Sequence, residues 1–217
     1  MRRIDLEHWP RHAQFETFSA WEHPHFSLCA DMDITPFYDA VKQHGASINV
    51  AIVYVIARAA NAITEFRYRI REGTVVEHDV VHPATTILLD GNQFTFCSIP
   101  YHSDFPTFAA EAAERIAFRK QHPTLKDEHG RDDELYMTAI PWLSFTSFVH
   151  PVPGHGGDSV PRFAWGKFFF RAGRRWMPLN VQAHHGLMDG IHAGWFYEHV
   201  QDDLCAPGWL GGRPARM

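Results

Sequence analysis

Two adjacent histidines followed by an acidic residue and a glycine are the strongest candidates for chemistry in this chain. His184 and His185 precede Asp189 and Gly190 in the pattern HHxxxDG, between a strand-like segment and an apolar helical segment. A histidine has an ordinary pKa near 6.5, so a neutral ring is available at pH 7 to take a proton. Asp189 lies four residues after His185, where a carboxylate could fix the loop or pair with an arginine. The pattern favours a general base, and an ordinary loop or helix cap is the structural alternative.

The composition is typical of a globular protein with one substantial core. The chain has 217 residues, of which 45% are hydrophobic and 21% charged, which suits one core better than two. Its 17 Phe and 7 Trp residues indicate an aromatic-rich core or pocket. A formal charge of −5 without a basic run argues against a nucleic-acid surface. No apolar run has membrane-spanning length, since the longest, 49–62, is short and contains Arg58.

Cysteine and histidine spacings argue against a metal centre. Cys29, Cys97 and Cys205 form an odd set without metal-type spacing, and no signal-peptide pattern opens the sequence. We therefore expect reduced thiols in a cytoplasmic protein. The 16 histidines are scattered and HExxH is absent, so we expect no functional metal.

Hydrophobic periodicity and turn residues predict alternating helices and strands. Helices are predicted over 11–18, 37–44 after a Thr35 cap, 48–63 after a Ser47 cap, 106–121, and from Asp189 to near Leu204. Strands are predicted over 4–9 (or an extended arm), 26–32, 66–70 with 74–77, 85–89 with 94–99, 142–149, and 163–170 with 177–183. Loops are predicted over 22–25 and 150–159, and a loop or short helix over 123–134. The absence of repeats and long linkers predicts a single α/β domain over 1–217, with a mixed β-sheet packed with helices in two layers.

Several blocks along the chain resemble the chloramphenicol acetyltransferase family. They are Trp9-Pro-Arg11 before Phe15-Glu16, Met32-Asp-Ile-Thr35, Phe66-Arg67, the PWLSFTSF run from Pro141 to Phe148, and the stretch from Met177 to His192. The resemblance covers about residues 1 to 205. HHxxxDG alone also occurs in condensation domains and plant acyltransferases, whose chains are much longer and lack these flanking blocks.

The resemblance implies a reaction and the residues that perform it. Acetyl-CoA would be the co-substrate, and the acceptor a hydroxyl of a small molecule, with chloramphenicol as the leading candidate. His185 would be the general base and Ser147 the donor to the tetrahedral oxyanion, whereas Asp189 would pair with Arg11 and hold the loop. Direct acyl transfer needs such a base and oxyanion donor but no covalent enzyme intermediate. The family is a homotrimer with active sites between subunits. The structural alternatives are a strand serine at position 147 and a solvated helix residue at position 11.

The candidate acceptor pocket departs from the family pattern. Its aromatic lining would be kept by Phe18, Phe26, Phe94 and Phe96. Arg162 stands where the family has an aliphatic residue, and Ala164 stands where it commonly has a threonine. Segment 22–25 is more polar than the acceptor-pocket loop of the family. We therefore expect acyl transfer to be retained while the acceptor pocket is altered. The alternatives are acyl transfer to another hydroxylated molecule and a binding-only role. No residue is assigned to CoA, because the chain has no glycine-rich phosphate loop.

Overall fold

The computed structural model describes residues 1–126, 131–153 and 158–212. The helices of this part are α1 (His12–Ser19), α2 (Thr35–His44), α3 (Ile48–Ala62), α4 (Phe105–Gln121) and α5 (Gly190–Cys205). Its strands are β1 (Arg2–Arg3), β2 (His25–Asp33), β3 (Tyr68–Arg71), β4 (Thr74–Glu77), β5 (His82–Leu88), β6 (Phe94–Ser98), β7 (Glu134–Ile140), β8 (Arg162–Gly166), β9 (Phe169–Arg171) and β10 (Arg174–His184). Short 3-10 helices cover Thr64–Arg67, Asp90–Asn92 and Pro207–Gly211. Among these helices, none is long and apolar enough to cross a bilayer.

The strands form one large mixed sheet and one small sheet. The large sheet has the order β2-β10-β8-β7-β5-β6, and β9 pairs with β10 as its seventh strand. Strand β7 runs parallel to β5 and β8, whereas the other neighbours are antiparallel. Strands β1, β4 and β3 form the small antiparallel sheet. A mixed sheet packed with helices confirms the predicted α/β class.

Helix α3 lies at the centre of the helical layer. The Ser47 hydroxyl accepts a hydrogen bond from the Val50 N–H and satisfies one of the free amides of the first turn, as predicted. Most of the helix is buried, because its apolar residues surround it and it contacts α2, α4 and α5. The same core includes one face of the large sheet, to which β10 contributes Leu179 and Val181. Burial on all sides explains why α3 has no polar face.

The opposite face of the large sheet is polar and positions the candidate site. Side chains alternate along a strand, so Asn180, Gln182 and His184 of β10 point away from the helices, and all three are nonetheless buried. Residues 143–153, which we call the covering segment, lie against this face. The Ser27 hydroxyl donates to the Phe148 carbonyl over 2.8 Å, and Gln182 Oε1 accepts from the His150 N–H over 2.7 Å.

Some predicted elements are wrong, and each has a local cause. No strand occurs at 142–149. The strand is β7, which begins eight residues earlier and ends before Pro141, a residue without an N–H for a sheet ladder. The 4–9 strand is replaced by β1 and turns. Thr35 is not a helix cap, because its hydroxyl accepts the Arg175 N–H instead. The three predicted hairpins and the last helix are confirmed. Parts of two predicted loops, residues 127–130 and 154–157, lie outside the described residues.

Candidate active site

His185 lies where β10 ends and the chain turns into α5. Its backbone N–H donates to the Pro24 carbonyl over 2.8 Å, which ties the turn to the loop before β2. The imidazole stacks on Phe18, with ring centroids 4.0 Å apart and an interplanar angle of 3°, and meets Phe26 at 5.2 Å and 62°. Nδ1 is buried, whereas 36% of the side chain is exposed, so Nε2 is the nitrogen that can meet a substrate. Two aromatic rings therefore hold an accessible histidine in place.

Arg11 and Asp189 fix the turn that carries His185. Arg11 Nη1 lies 2.5 Å from Asp189 Oδ2 and Nη2 lies 3.1 Å from Oδ1, so the pair is bidentate. Arg11 Nη2 also donates to the His185 carbonyl over 3.2 Å. The hydrogen bonds from Arg11 lower the pKa of the Asp189 carboxyl, against the opposing effect of burial. His185 Nδ1 lies 3.1 Å from Asp189 Oδ1 but is not aligned for a hydrogen bond. Asp189 thus acts on the loop through Arg11.

His184 and His185 face different environments although they are adjacent. His184 is buried on the polar face of the sheet, and its Nδ1 accepts the Gly186 N–H over 3.1 Å. A Cβ at position 186 would lie 3.0 Å from His184 Cε1 and 3.3 Å from Phe15 Cα, so this tight turn favours glycine. The structure thus leaves the second histidine as the accessible one.

Ser147 lies in the covering segment and is exposed. The predicted strand around it is absent, so its position depends on the anchoring of Phe148 to Ser27. Within one chain, no hydrogen bond or ion pair of the described residues links Ser147 to His185.

The predicted pocket residues separate into two groups. Phe94, Phe96 and Arg162 line a cavity of about 490 Å³ between the polar face of the sheet and the covering segment. Phe18 and Phe26 instead pack on His185. The lining of this cavity does not include His185, Arg11 or Asp189. The polar 22–25 loop lines a second cavity of about 350 Å³, next to the first.

Arg162 enters the cavity wall as half of a buried ion pair. It contacts both oxygens of Asp158, at 2.8 and 2.5 Å, and its guanidinium lies 5.3 Å from the centroid of the Tyr136 ring. Only 5% of the Arg162 side chain is exposed. Sequence reasoning identified Arg162 but missed Asp158 and His150, although the spacing of four between opposite charges was a signal for the former. Ala164 is fully buried beside Asn180 in the sheet register, rather than open to the cavity.

In the described part of the chain, no group of three or more His, Cys, Asp or Glu side chains is placed to hold a metal ion. The site offers an accessible imidazole, a buried ion pair and a cavity.

Comparison with known proteins gives consistent matches. The family model described as chloramphenicol acetyltransferase matches residues 1–201. A chloramphenicol acetyltransferase of Escherichia coli is 30% identical over 211 residues, covering 96% of this chain and 95% of the relative. A solved chloramphenicol acetyltransferase is 31% identical with a TM-score of 0.84, covering 94% of this chain and 100% of that one. The dihydrolipoamide acetyltransferase of Azotobacter vinelandii, 16% identical with a TM-score of 0.67, covering 91% of this chain and 88% of that one, shares the fold alone.

Proposed function

This chain belongs to the chloramphenicol acetyltransferase family of acyltransferases, and we propose that it transfers the acetyl group of acetyl-CoA to a hydroxyl of chloramphenicol. The observation that carries this proposal is His185, held accessible between Phe18 and Phe26 on a turn fixed by Arg11 and Asp189. Proton transfer to a side chain is efficient only when that side chain is held in the correct position.

The proposed reaction is a direct transfer. His185 Nε2 takes the proton of the acceptor hydroxyl as its oxygen attacks the thioester carbonyl, and the Ser147 hydroxyl donates to the oxyanion that forms. Collapse of this intermediate breaks the carbon–sulfur bond, and the imidazolium returns its proton to the CoA thiolate. Such a base typically contributes about 10²- to 10⁴-fold in rate, and one oxyanion donor about 10²- to 10³-fold.

We further propose that the enzyme is a homotrimer whose active sites lie between subunits. The support is the separation of His185 from the cavity within one chain, because a second copy could bring its cavity to the base. Exposed Trp142, Leu143 and Leu28 provide apolar surface for such a contact. The three unpaired cysteines and the use of acetyl-CoA suit the cytoplasm.

Mixing two inactive variants tests this shared site. Chains with His185→Ala lack the base, and chains with Ser147→Ala lack the oxyanion donor on the cavity side. If one subunit supplies the base and its neighbour the cavity, random mixed trimers regain roughly one quarter of wild-type sites. Mixtures that stay as inactive as their components would contradict a site shared in this way.

Thiol release from acetyl-CoA tests the reaction itself. Purified protein is incubated with acetyl-CoA, with and without chloramphenicol, and free CoA and the acetylated product are measured. We expect release that depends on chloramphenicol. The second candidate function is acetyl transfer to a different hydroxylated molecule, and the buried Arg162–Asp158 pair in the cavity wall favours it. Turnover with such a molecule, but not with chloramphenicol, would support this second function. No release with any acceptor would contradict the enzymatic proposal.

A further inference from the structure

His192 lies in the first turn of α5, a little after Asp189. It is buried, and it lines neither of the two cavities. Its Nδ1 accepts a hydrogen bond from the Asp189 N–H over 2.9 Å, and its own N–H donates to the Asp189 carbonyl over 3.1 Å. These contacts tie His192 to the turn that carries His185.

The His192 ring supports the Asp189 backbone while the Asp189 carboxylate pairs with Arg11. An aspartate just before a helix usually accepts a hydrogen bond from an amide of the first turn. Here both carboxylate oxygens contact Arg11. The bond from the Asp189 N–H to the His192 ring is the half of a capping box that Glu or Gln commonly supplies. His192 thus holds the backbone of the residue whose side chain pairs with Arg11.

This hydrogen bond determines which nitrogen of the ring carries the proton. A nitrogen that accepts a hydrogen bond is unprotonated, so the neutral His192 ring bears its proton on Nε2. Nε2 lies 3.5 Å from Glu65 Oε1, and the carboxylate favours that tautomer. The Trp195 ring meets the imidazole edge-on, at 90° and with centroids 5.2 Å apart. Asp189, Glu65 and Trp195 together orient the ring.

Three charged groups face the His192 ring: Glu65 of the 3-10 helix Thr64–Arg67, Arg11 before α1, and Asp189. Burial lowers the pKa of His192 below its ordinary value of 6.5, and the charge of Arg11 acts in the same direction, whereas Glu65 and Asp189 oppose both. The ring is therefore mainly neutral at pH 7. In acid a proton adds to Nδ1, and this nitrogen can then no longer accept the Asp189 N–H.

We propose that His192 is a positioning residue for His185: its neutral ring holds the Asp189 turn in place, and protonation of the ring loosens that turn and slows acyl transfer. This inference rests on the proposed function in taking His185 as the base. His192 lies outside both cavities, so it acts on His185 through Asp189 and Arg11.

Hydrogen exchange of the Asp189 amide tests the hold on the turn without any substrate. Exchange is followed by NMR in the wild type, His192→Leu and His192→Gln and expressed as a protection factor, which removes the intrinsic effect of pH. At pH 8 we expect about tenfold less protection in His192→Leu and a value within about threefold of wild type in His192→Gln, because glutamine keeps an acceptor. His192→Met replaces the leucine variant if that protein does not fold.

The same amide tests the proton dependence. As pH falls from 8 to 5, protection in the wild type should decrease along the His192 titration, which ring ¹⁵N shifts report. In His192→Gln, protection should stay nearly constant, since the glutamine side chain does not titrate. His199→Gln, an exposed change on the same helix, is the control and should behave as the wild type.

Steady-state kinetics test the effect on transfer. At pH 8 we expect His192→Leu to lower kcat about tenfold with little change in KM, because His192 lies outside the cavities, and His192→Gln to restore most of kcat. In acid, kcat of His192→Gln should fall less steeply than that of the wild type, since one of two inhibitory protonations is removed.

The inference would be overturned by equal Asp189 protection in the wild type and His192→Leu, by wild-type protection that ignores the His192 titration, or by an unchanged kcat in His192→Leu. If no acceptor is turned over, the proposed function fails, while amide exchange still decides whether His192 holds the turn.

Discussion

The rings of His185 and Phe18 lie parallel, with centroids 4.0 Å apart and 3° between their planes. Phe18 belongs to α1, near the N-terminus, whereas His185 follows β10. Two residues near the start of the chain therefore position the candidate base: the Phe18 ring stacks on its imidazole, and Arg11 donates a hydrogen bond to its backbone carbonyl.

Removing the Phe18 ring should loosen His185 without removing it. We expect Phe18→Ala to lower kcat by up to about tenfold, because a stacked aromatic pair contributes about 0.5–1.5 kcal/mol beyond burial. Phe18→Tyr, which keeps a ring, should lose much less. Phe170→Ala, at a residue that is 71% exposed, is the control. Equal kcat values for the alanine variant and the wild type would show that the stack does not position the base.

The Arg11–Asp189 pair should be coupled in both stability and activity. Removing either partner leaves the other charge partly buried, so each single variant is expected to unfold more easily than the wild type. A double-mutant cycle of Arg11→Ala and Asp189→Ala by urea unfolding should give a coupling energy of about 1 kcal/mol or more. Asp189→Asn should also lower kcat, whereas Asp202→Asn, an exposed change on the same helix, should not. Strict additivity in the cycle would mean that the two residues stabilise the fold independently.

Ser27 should affect catalysis through the covering segment. Its hydroxyl accepts from Asn180 Nδ2 and donates to the Phe148 carbonyl, both over 2.8 Å. We expect Ser27→Ala to lower kcat several-fold, on the order of one lost hydrogen bond, and to speed amide exchange over 143–149. Asp31→Asn is the control on the same strand, since the exposed Asp31 carboxylate pairs with Arg171 and not with the covering segment. Unchanged exchange in Ser27→Ala would show that this contact does not hold the segment.

Asp132 should contribute to stability above pH 4 and lose that contribution in acid. Burial tends to raise its pKa, but hydrogen bonds from Arg71 and His78 outweigh this and lower it below the ordinary value of 3.8. A lowered folded-state pKa stabilises the protein above the unfolded-state pKa, and the effect disappears as pH falls through the folded-state value.

Urea unfolding at several pH values checks this expectation. Asp132→Asn should be less stable than the wild type at pH 7, and the gap should narrow below about pH 4. A gap that is constant with pH would exclude the carboxylate charge as its source.

The sequence predicted what depends on local pattern. The Ser47 cap, the three hairpins and the turn before α5 follow from residues close together in the chain. The β7 strand was missed because the aromatic and hydroxyl residues after Pro141 have a strand-like composition, although they lie in irregular structure on the polar face of the sheet.

The division of the candidate site could not be read from the sequence. Resemblance placed Phe18, Phe26, Phe94 and Phe96 in one pocket, whereas packing puts two of them on His185 and two in the cavity. The spacing of four between Asp158 and Arg162 is local, but the burial of this pair in a cavity wall depends on tertiary packing.

The most direct measurement is thiol release from acetyl-CoA with chloramphenicol by the wild type and by His185→Ala. The exposed His199 on α5 provides the matched control His199→Ala. If His185 is the base, its variant loses about 10²- to 10⁴-fold in kcat while His199→Ala keeps the wild-type rate. A His185→Ala protein that acetylates chloramphenicol at the wild-type rate would contradict the mechanism.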